Sequence, residues 1–540
     1  MPRKRIVLIL LLILLIAAGL KAWLLLLDVI PFNSDEAIVA LMARHILAGE
    51  RPAFFYGQSY MGSLDAFLVA FGFLIFGSQI WVIRFVQTLL YLLTIITIVF
   101  TGRLAFNSWK VGIFSGLFLA IPTVNITLYT TASLGGYGEA LFLGCLLLLI
   151  YFWLNGSAPE KFERFSFKLL TVFGIWGVLA GIGFWANGIS LVFSIPSGLG
   201  VLAVLLRHWR SGKSKWIYSL PLAAISGLFI GSAPWWLSIF QNGFASLVNE
   251  LFGSAVSVEQ GAFLSKTFDH LINLILLGGS VTFGFRPPWE VRWLALPLLP
   301  LTLIFWLAVI FFWFRGLFRS SDYQKSLWML FGILLLIVSG FLFTSFGVDP
   351  SGRYFVPLAI PLALIAAQFL WTELKRKWIR FAALAVVLVF NLAGTVECAF
   401  RYPPGLTTQF YAATIIDHRY DLELIRFLEA NDERRGYTNY WVAYPLAFLS
   451  GERLIFMPAL PYHLDLRYTD RDNRYSPYND AVKNSQRIAY ITARNPVLDD
   501  TLRTRFVENA IEWQEEVIGD YHIFYHLSKA IQPEDIGFGK

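Results

Sequence analysis

Hydrophobic runs of about 20 residues recur through the first 400 positions, and they constrain the fold more than any other feature of this sequence. A helix of that length crosses the ~30 Å hydrocarbon core of a bilayer, because each residue advances it by about 1.5 Å. With 57% hydrophobic and only 15% charged residues, the chain is predicted to be a polytopic membrane protein. Eleven spans are predicted, near residues 5–27, 82–102, 109–129, 139–155, 168–186, 188–206, 216–240, 291–315, 326–346, 354–371 and 380–398.

A twelfth apolar stretch, residues 64–80, is ambiguous because 17 residues reach only about 26 Å as a helix. If it does not cross, and Arg3-Lys4-Arg5 is cytoplasmic, every basic loop falls on the cytoplasmic side. We therefore expect an interfacial or half-inserted helix here, a cytoplasmic N-terminus and an external C-terminus. The compact loops and the absence of a eukaryotic retention signal favour the plasma (inner) membrane of a bacterium.

Residues 401–540 differ in character from the rest of the chain. They carry 16 Lys and Arg against 20 Asp and Glu, whereas the remainder carries 27 against 16. A basic membrane part with an acidic soluble tail argues against nucleic-acid binding, and two cysteines exclude a disulfide scaffold. The tail is predicted to form helices over 421–431 and 496–510 and strands over 453–457, 487–492 and 515–526. This alternation predicts a small α/β domain. The expected domains are a membrane-embedded domain at 1–400 and an external (periplasmic) α/β domain at 401–540.

The most informative motif is Asn33-Ser34-Asp35-Glu36, which follows the first span and precedes an amphipathic helix at residues 37–47. Ser34 or Asp35 is expected to cap that helix. Paired acids at such a place can cap the helix, bind a divalent cation, or remove a proton from an acceptor hydroxyl. Taken alone, the motif favours capping together with ordinary solvation.

The order of these features resembles the GT-C superfamily of integral-membrane glycosyltransferases, especially the protein O-mannosyltransferase and lipid A aminoarabinose transferase branch. The matching features are the Asp35-Glu36 pair, the helix at 37–47, the aromatic turn at 56–63 and the apolar segment at 64–77, with Arg353-Tyr354-Phe355-x-Pro357 opening a late span. The resemblance covers residues 1–400. One departure is that Ser59-Tyr60-Met61-Gly62-Ser63 stands where the aminoarabinose branch has a Lys-Pro-Pro stretch.

The resemblance implies a hexosyl- or pentosyltransferase that moves a sugar from a polyprenyl-phosphate donor to a glycan, lipid or protein acceptor, with inversion. Asp35 is then the expected base, with Glu36 as its helper or as a metal ligand. If a divalent cation such as Mg²⁺ or Mn²⁺ takes part, Asp35 and Glu139 are its expected ligands. The other residues expected to contact the donor are Arg353, Tyr354, Arg51 and Tyr60 at its phosphate, and Glu139 as a second acid.

Each of these assignments has a simpler alternative. Arg353 can be an interfacial arginine paired with Asp349, and Glu139 can be an ordinary start of a helix. The aromatic run from Tyr437 to Tyr444 predicts a strand in a small core, with stacking on sugar rings as the alternative. The charged residues at 467–474 predict a solvated loop.

Two other functions fit the sequence less well. A transporter or flippase of a lipid-linked substrate would be expected to place ionisable residues in mid-membrane and to show paired halves, and neither is evident. A non-catalytic scaffold would need fewer spans than eleven.

Overall fold

The structure is a computed structural model that describes residues 2–157, 160–209, 215–244, 262–401 and 405–538. Its contacts divide the chain into two compact units. Unit 1 comprises residues 1–27, 60–65 and 84–400, and unit 2 comprises residues 28–59, 66–83 and 401–540. The division shares the boundary at residue 400 with the predicted domains, but it also places most of the first external loop with the C-terminal segment.

Long apolar helices make up most of the described part of the membrane domain, which confirms a multi-pass membrane protein. Among the described residues nine helices are long and apolar enough to cross a bilayer. A tenth span forms if Trp216–Gly231 and Ala233–Gln241, bent by 58°, are counted as one. The nine are Arg3–Leu26, Ile80–Ala105, Tyr137–Asn155, Phe167–Ala186, Gly188–Trp209, Leu299–Phe318, Gln324–Phe343, Arg353–Thr372 and Lys377–Phe400.

The predicted span at residues 109–129 is two helices rather than one. Trp109–Ala120 ends just before Pro122, and Val124–Tyr129 follows it. Proline has no backbone N–H and disfavours helical geometry in the residue before it, so the hydrophobic run cannot continue as one helix. The ambiguous stretch at 64–80 contains the helix Leu64–Phe76, whose 13 residues are too few to span.

Glycines bring two helices of unit 1 unusually close together. A Cβ at Gly177 would lie 1.9 Å from the Ala224 carbonyl oxygen, and one at Gly231 would lie 2.2 Å from the Val178 carbonyl oxygen. Small residues let helix backbones approach where lipid supplies no hydrophobic driving force for association. Phe167–Ala186 and Ser219–Gly231 therefore pack backbone against backbone.

Residues 241–290, which separate the predicted spans at 216–240 and 291–315, are largely helical where they are described. Phe263–Asn273 is an α-helix, and it continues as a π-helix over Leu274–Gly279 and a short α-helical turn over Ser280–Thr282. Residues 245–261 of this segment lie outside the described residues.

Unit 2 contains a five-stranded mixed sheet, as predicted for an α/β domain. The strand order is Ile455–Pro458, Arg435–Thr438, Ala489–Ala493, Tyr521–Tyr525, Gln514–Ile518. The first three strands are parallel and the last two join antiparallel. Gly436 lies where a Cβ would meet the Ala489 carbonyl oxygen at 1.9 Å, so the strand pairing requires glycine there.

Helices of unit 2 cover this sheet and bury an aliphatic and aromatic core around Leu424, Leu446, Phe456 and Ile491. The helices predicted over 421–431 and 496–510 are present as Asp421–Ala430 and Pro496–Glu508. The other α-helices within residues 28–59 and 405–538 of the unit are Ser34–Leu47, Tyr440–Leu449 and Pro477–Lys483, and most of Leu64–Phe76 also belongs to it.

Two strand predictions in this segment were wrong. Residues 515–526 form two strands rather than one, because Gly519 adopts a left-handed turn between them (φ +57°). The aromatic run after Thr438 turns into the helix Tyr440–Leu449, whose first turn is capped by the Asn439 side chain. An N-cap asparagine satisfies an orphan backbone N–H, and this signal was available in the sequence.

Candidate functional site

The helix Ser34–Leu47 of unit 2 presents the acidic pair at its first turn. Asn33, not Ser34 or Asp35, is the N-cap, and its Oδ1 accepts a hydrogen bond from the Glu36 N–H at 3.2 Å. Capping by Asn33 leaves the Asp35 carboxylate available for other partners. Glu36 is 1% exposed, whereas Asp35 is half-buried. Of the two acids, Asp35 is therefore the better placed to meet a substrate.

Asp35 is held by a tyrosine that lies more than 400 positions later in the chain. The Tyr440 hydroxyl donates to Asp35 Oδ1 at 2.5 Å. Ser34 Oγ donates to the Tyr440 carbonyl oxygen, also at 2.5 Å, so side chain and backbone of Tyr440 are both engaged by the acidic turn. Burial and the Asp35 carboxylate hold the pKa of Tyr440 well above its usual value, so the hydroxyl keeps its proton and donates.

Two residues of the charged run lie near this pair. The Arg474 guanidinium lies 5.5 Å from the Tyr440 ring centroid, and Arg474 Nη1 donates to the Gly57 carbonyl oxygen at 3.4 Å. Asp472 is 8% exposed, and its carbonyl oxygen accepts from the Tyr444 hydroxyl at 3.0 Å. The prediction of a solvated loop at 467–474 was therefore wrong at its C-terminal end, where Asp472 is buried and Arg474 half-buried.

Burial raises the pKa of Asp472 to about 7, with Arg474 opposing the shift and the Asp35 charge adding to it. An aspartic acid in an unfolded chain titrates near 4, so between those pH values the folded state binds more protons. The free energy of unfolding then falls as the pH rises from about 4 to about 7.

We expect Asp472→Asn to be more stable than the wild type at pH 8, because it removes the cost of ionising a buried carboxyl. A shift from about 4 to about 7 corresponds to as much as about 4 kcal/mol at pH 8 and to nothing near pH 4. Thermal unfolding of detergent-purified protein from pH 4 to 8 measures this difference. Asp470→Asn, an exposed neighbour in the same turn, is the control. A destabilised Asp472→Asn at pH 8 would contradict the expectation.

In unit 1, Arg353 forms an ion pair with Asp349. Arg353 Nη2 lies 2.5 Å from Asp349 Oδ2, and the two side chains are 37% and 8% exposed. The guanidinium carbon lies 5.1 Å from the Tyr354 ring centroid. Arg353 Nε is buried and donates to none of the residues that the structure describes. The expected pairing with Asp349 is thus present, and Nε has no acceptor among the described residues.

Glu139 belongs to a second polar network of unit 1. Gln87 Nε2 donates to Glu139 Oε1 at 2.9 Å and to Asp65 Oδ1 at 3.0 Å. Asp65 also accepts from Ser133 Oγ at 2.7 and 2.8 Å and from the Gly135 N–H at 3.2 Å. Both acids are 1% exposed, and Glu139 Oε2 has no hydrogen-bond partner among the described residues. Glu139 is therefore part of a buried network rather than an ordinary helix start.

The hydrogen-bond donors around Asp65 and Glu139 make this network unlike a site for the predicted divalent cation. A Mg²⁺ or Mn²⁺ site needs several oxygen acceptors around one point, but N–H and O–H donors face Asp65 and Glu139. Within the described ranges no group of three or more His, Cys, Asp and Glu could hold a metal ion. A cation bound by Asp35 and Glu139 stays a prediction, and the reaction proposed below does not depend on it.

The remaining predicted residues fall in different places. Arg51 is exposed in unit 2 and donates to the carbonyl oxygens of Ile46 and Glu50 at 2.9 and 2.6 Å. Tyr60 is half-buried in unit 1, where it interacts electrostatically with Tyr354. Roles for Arg51, Tyr60 and Tyr354 at a donor phosphate stay predictions.

Sequence reasoning missed Tyr440, Asp472, Asp65 and Gln87. A tyrosine in an aromatic run and an aspartate in a charged run carry no local signal, because only their long-range partners set them apart. Asp65 did carry a signal, since an acid inside an apolar segment is costly unless it is satisfied by hydrogen bonds.

Residues 63–236, less than half of the chain, match the family model described as dolichyl-phosphate-mannose-protein mannosyltransferase. No curated protein matches the chain. Among solved structures, the chain is similar to ArnT from Cupriavidus metallidurans bound to undecaprenyl phosphate, with a TM-score of 0.59 and 13% identity over 98% of this chain and 100% of that one.

The chain is also similar to two archaeal structures from Archaeoglobus fulgidus. The first is an oligosaccharyltransferase in complex with Zn and sulfate, with a TM-score of 0.51 and 12% identity over 90% of this chain and 68% of that one. The second is the oligosaccharyltransferase AglB with an inhibitory peptide and a dolichol-phosphate, with a TM-score of 0.50 and 12% identity over 97% and 74%. At such identities the likeness shows a shared fold, and it confirms the predicted membrane domain with an α/β domain.

Proposed function

We propose that this chain is a membrane glycosyltransferase of the GT-C superfamily, and that it transfers a sugar from a polyprenyl-phosphate-linked donor to an acceptor on the outer face of the membrane. The acceptor is a hydroxyl of a glycan, a lipid or a protein. The membrane is the plasma (inner) membrane, with the N-terminus cytoplasmic and residues 401–540 external, as the distribution of basic loops favours.

The donor class is supported by the proteins that share the fold. ArnT from Cupriavidus metallidurans is bound to undecaprenyl phosphate, and AglB from Archaeoglobus fulgidus is bound to a dolichol-phosphate. The family model that matches residues 63–236 is likewise named for a dolichyl-phosphate sugar. A lipid-linked donor also suits a chain with so many apolar helices, because the lipid tail remains in the bilayer while its phosphate lies at the interface.

The observation that carries the proposal is the arrangement around Asp35, a half-buried carboxylate at the first turn of a helix, oriented by the Tyr440 hydroxyl. Asp35 removes the proton from the acceptor hydroxyl as that oxygen attacks the anomeric carbon. The new carbon–oxygen bond forms while the bond from the anomeric carbon to the phosphate oxygen breaks, and the phosphate leaves with the electron pair. Attack opposite the leaving group inverts the anomeric centre.

Arg353 supplies positive charge to the departing phosphate. A guanidinium binds phosphate oxygens through two parallel N–H donors, and Arg353 Nε is a donor not used by the described residues. Tyr354, Tyr60 and Arg51 are further candidates at the phosphate. Glu36, 1% exposed, supports the acidic turn rather than meeting the substrate.

A donor panel tests this function. Purified protein in liposomes is incubated with polyprenyl-phosphate-linked hexoses and pentoses, together with an envelope extract as acceptor, and release of polyprenyl phosphate is measured. We expect release with one donor and no release from protein-free liposomes, and we expect no transfer of sugar to the acceptor from nucleotide sugars. Movement of intact donor across the bilayer without release would instead support the transporter alternative.

A further inference from the structure

The C-terminal segment contributes a residue whose position is fixed from several sides. Tyr440 is the first residue of the helix Tyr440–Leu449, and its ring is buried with 4% of its surface exposed. The Asn439 side chain caps this helix by accepting from the Trp441 N–H at 2.9 Å. The Tyr444 ring packs against the Tyr440 ring at 5.6 Å. Neither the ring nor the hydroxyl of Tyr440 can move without breaking these contacts.

The helix that carries Asp35 is attached to the Tyr440 helix at both of its ends. At one end Ser34 Oγ donates to the Tyr440 carbonyl oxygen at 2.5 Å. At the other end Arg44 Nη1 donates to the Phe448 carbonyl oxygen at 2.7 Å, and its guanidinium carbon lies 3.9 Å from the Phe448 ring centroid. Contacts at both ends fix the rotation of the helix Ser34–Leu47 about its own axis. The direction in which the Asp35 side chain leaves that helix is therefore fixed as well.

We propose that Tyr440 is a positioning residue for Asp35, so that residues 401–540 supply part of the active site rather than an appended module. The inference rests on the proposed function, in which Asp35 is the base. The Tyr440 hydroxyl donates to Asp35 Oδ1 and thereby directs Asp35 Oδ2 toward the acceptor hydroxyl. Oδ2 then receives the proton of that hydroxyl. A carboxylate that already accepts one hydrogen bond in a fixed plane loses less freedom when the acceptor binds.

The charged and titratable groups around Asp35 in this unit, among the described residues, are Tyr440, Tyr462, Asp472 and Arg474. Of these, Tyr440 donates a hydrogen bond directly to the carboxylate. Tyr440 therefore fixes the direction of the Asp35 carboxylate.

The test is Tyr440→Phe, which removes one oxygen and keeps the ring. We expect kcat to fall about 10- to 100-fold with KM within about twofold, because misplacement of a catalytic group by about 1 Å costs that much. Tyr490→Phe is the matched control, because the buried Tyr490 hydroxyl donates to the Ile531 carbonyl oxygen at 2.6 Å within the same unit.

A double-mutant cycle separates this inference from the proposed function. If Tyr440 acts through Asp35, then Tyr440→Phe lowers the rate of the wild type but adds no further loss to Asp35→Asn. Additive losses would overturn the positioning role, as would an unchanged kcat in Tyr440→Phe. Full activity in Asp35→Asn would instead overturn the proposed base. If Tyr440→Phe proves unstable in thermal unfolding, Ser34→Ala is the second variant, because it removes the hydrogen bond from Ser34 Oγ to the Tyr440 carbonyl oxygen. We expect it to lower kcat as well, by a smaller factor than Tyr440→Phe.

Discussion

Asp35→Asn is expected to lower kcat for sugar transfer by about 100- to 10 000-fold, the range in which a positioned general base contributes to a rate. Asparagine has nearly the same shape and still accepts the Tyr440 hydrogen bond through its carbonyl oxygen. It cannot take a proton from the acceptor hydroxyl. Donor binding should remain, because the donor phosphate is assigned to other residues.

The measurement is the initial rate of polyprenyl phosphate release in liposomes, with donor binding determined separately. Asp28→Asn is the matched control: it makes the same chemical change in the same loop, at an exposed residue with φ of +50°, a conformation that asparagine tolerates well. Transfer by Asp35→Asn at the rate of the wild type would remove Asp35 from the reaction.

The second large effect is expected for Arg353→Lys, with kcat/KM for the lipid-phosphate donor about 100-fold lower. Lysine keeps the positive charge opposite Asp349, which is 8% exposed and would otherwise be left as an uncompensated buried charge. It loses the planar fork that binds two phosphate oxygens at once. Removing one hydrogen-bond donor to the charge that develops in the transition state lowers the reaction rate by about 100-fold or more.

Arg315→Lys serves as the control, because Arg315 also pairs with a carboxylate in unit 1, with Nη2 2.9 Å from Glu373 Oε2. We expect this variant to transfer at the wild-type rate. If Arg353→Lys does so too, while Asp349→Asn destabilises the protein, then Arg353 serves only its ion pair.

Much of the membrane domain follows from local sequence, because a helix that spans a bilayer needs only a run of apolar residues of sufficient length. That rule predicts the nine helices among the described residues that are long and apolar enough to cross a bilayer. It also marks residues 64–80 as too short to cross. It fails at 109–129, where Pro122 divides a run that is hydrophobic enough to span. Strand limits were harder to predict, since Gly519 and Asn439 change the chain direction within runs that are rich in β-branched and aromatic residues on both sides.

The candidate site divides in the same way. The sequence by itself identified Asp35 as a candidate base, predicted the helix that follows it and showed the resemblance to a glycosyltransferase superfamily. These depend on motifs a few residues long. Only the tertiary structure joined Asp35 to Tyr440, buried Asp472 and linked Gln87 to both Asp65 and Glu139. Hydrogen bonds between residues tens to hundreds of positions apart leave no periodicity or spacing in the sequence, so the fold alone decides which polar groups meet.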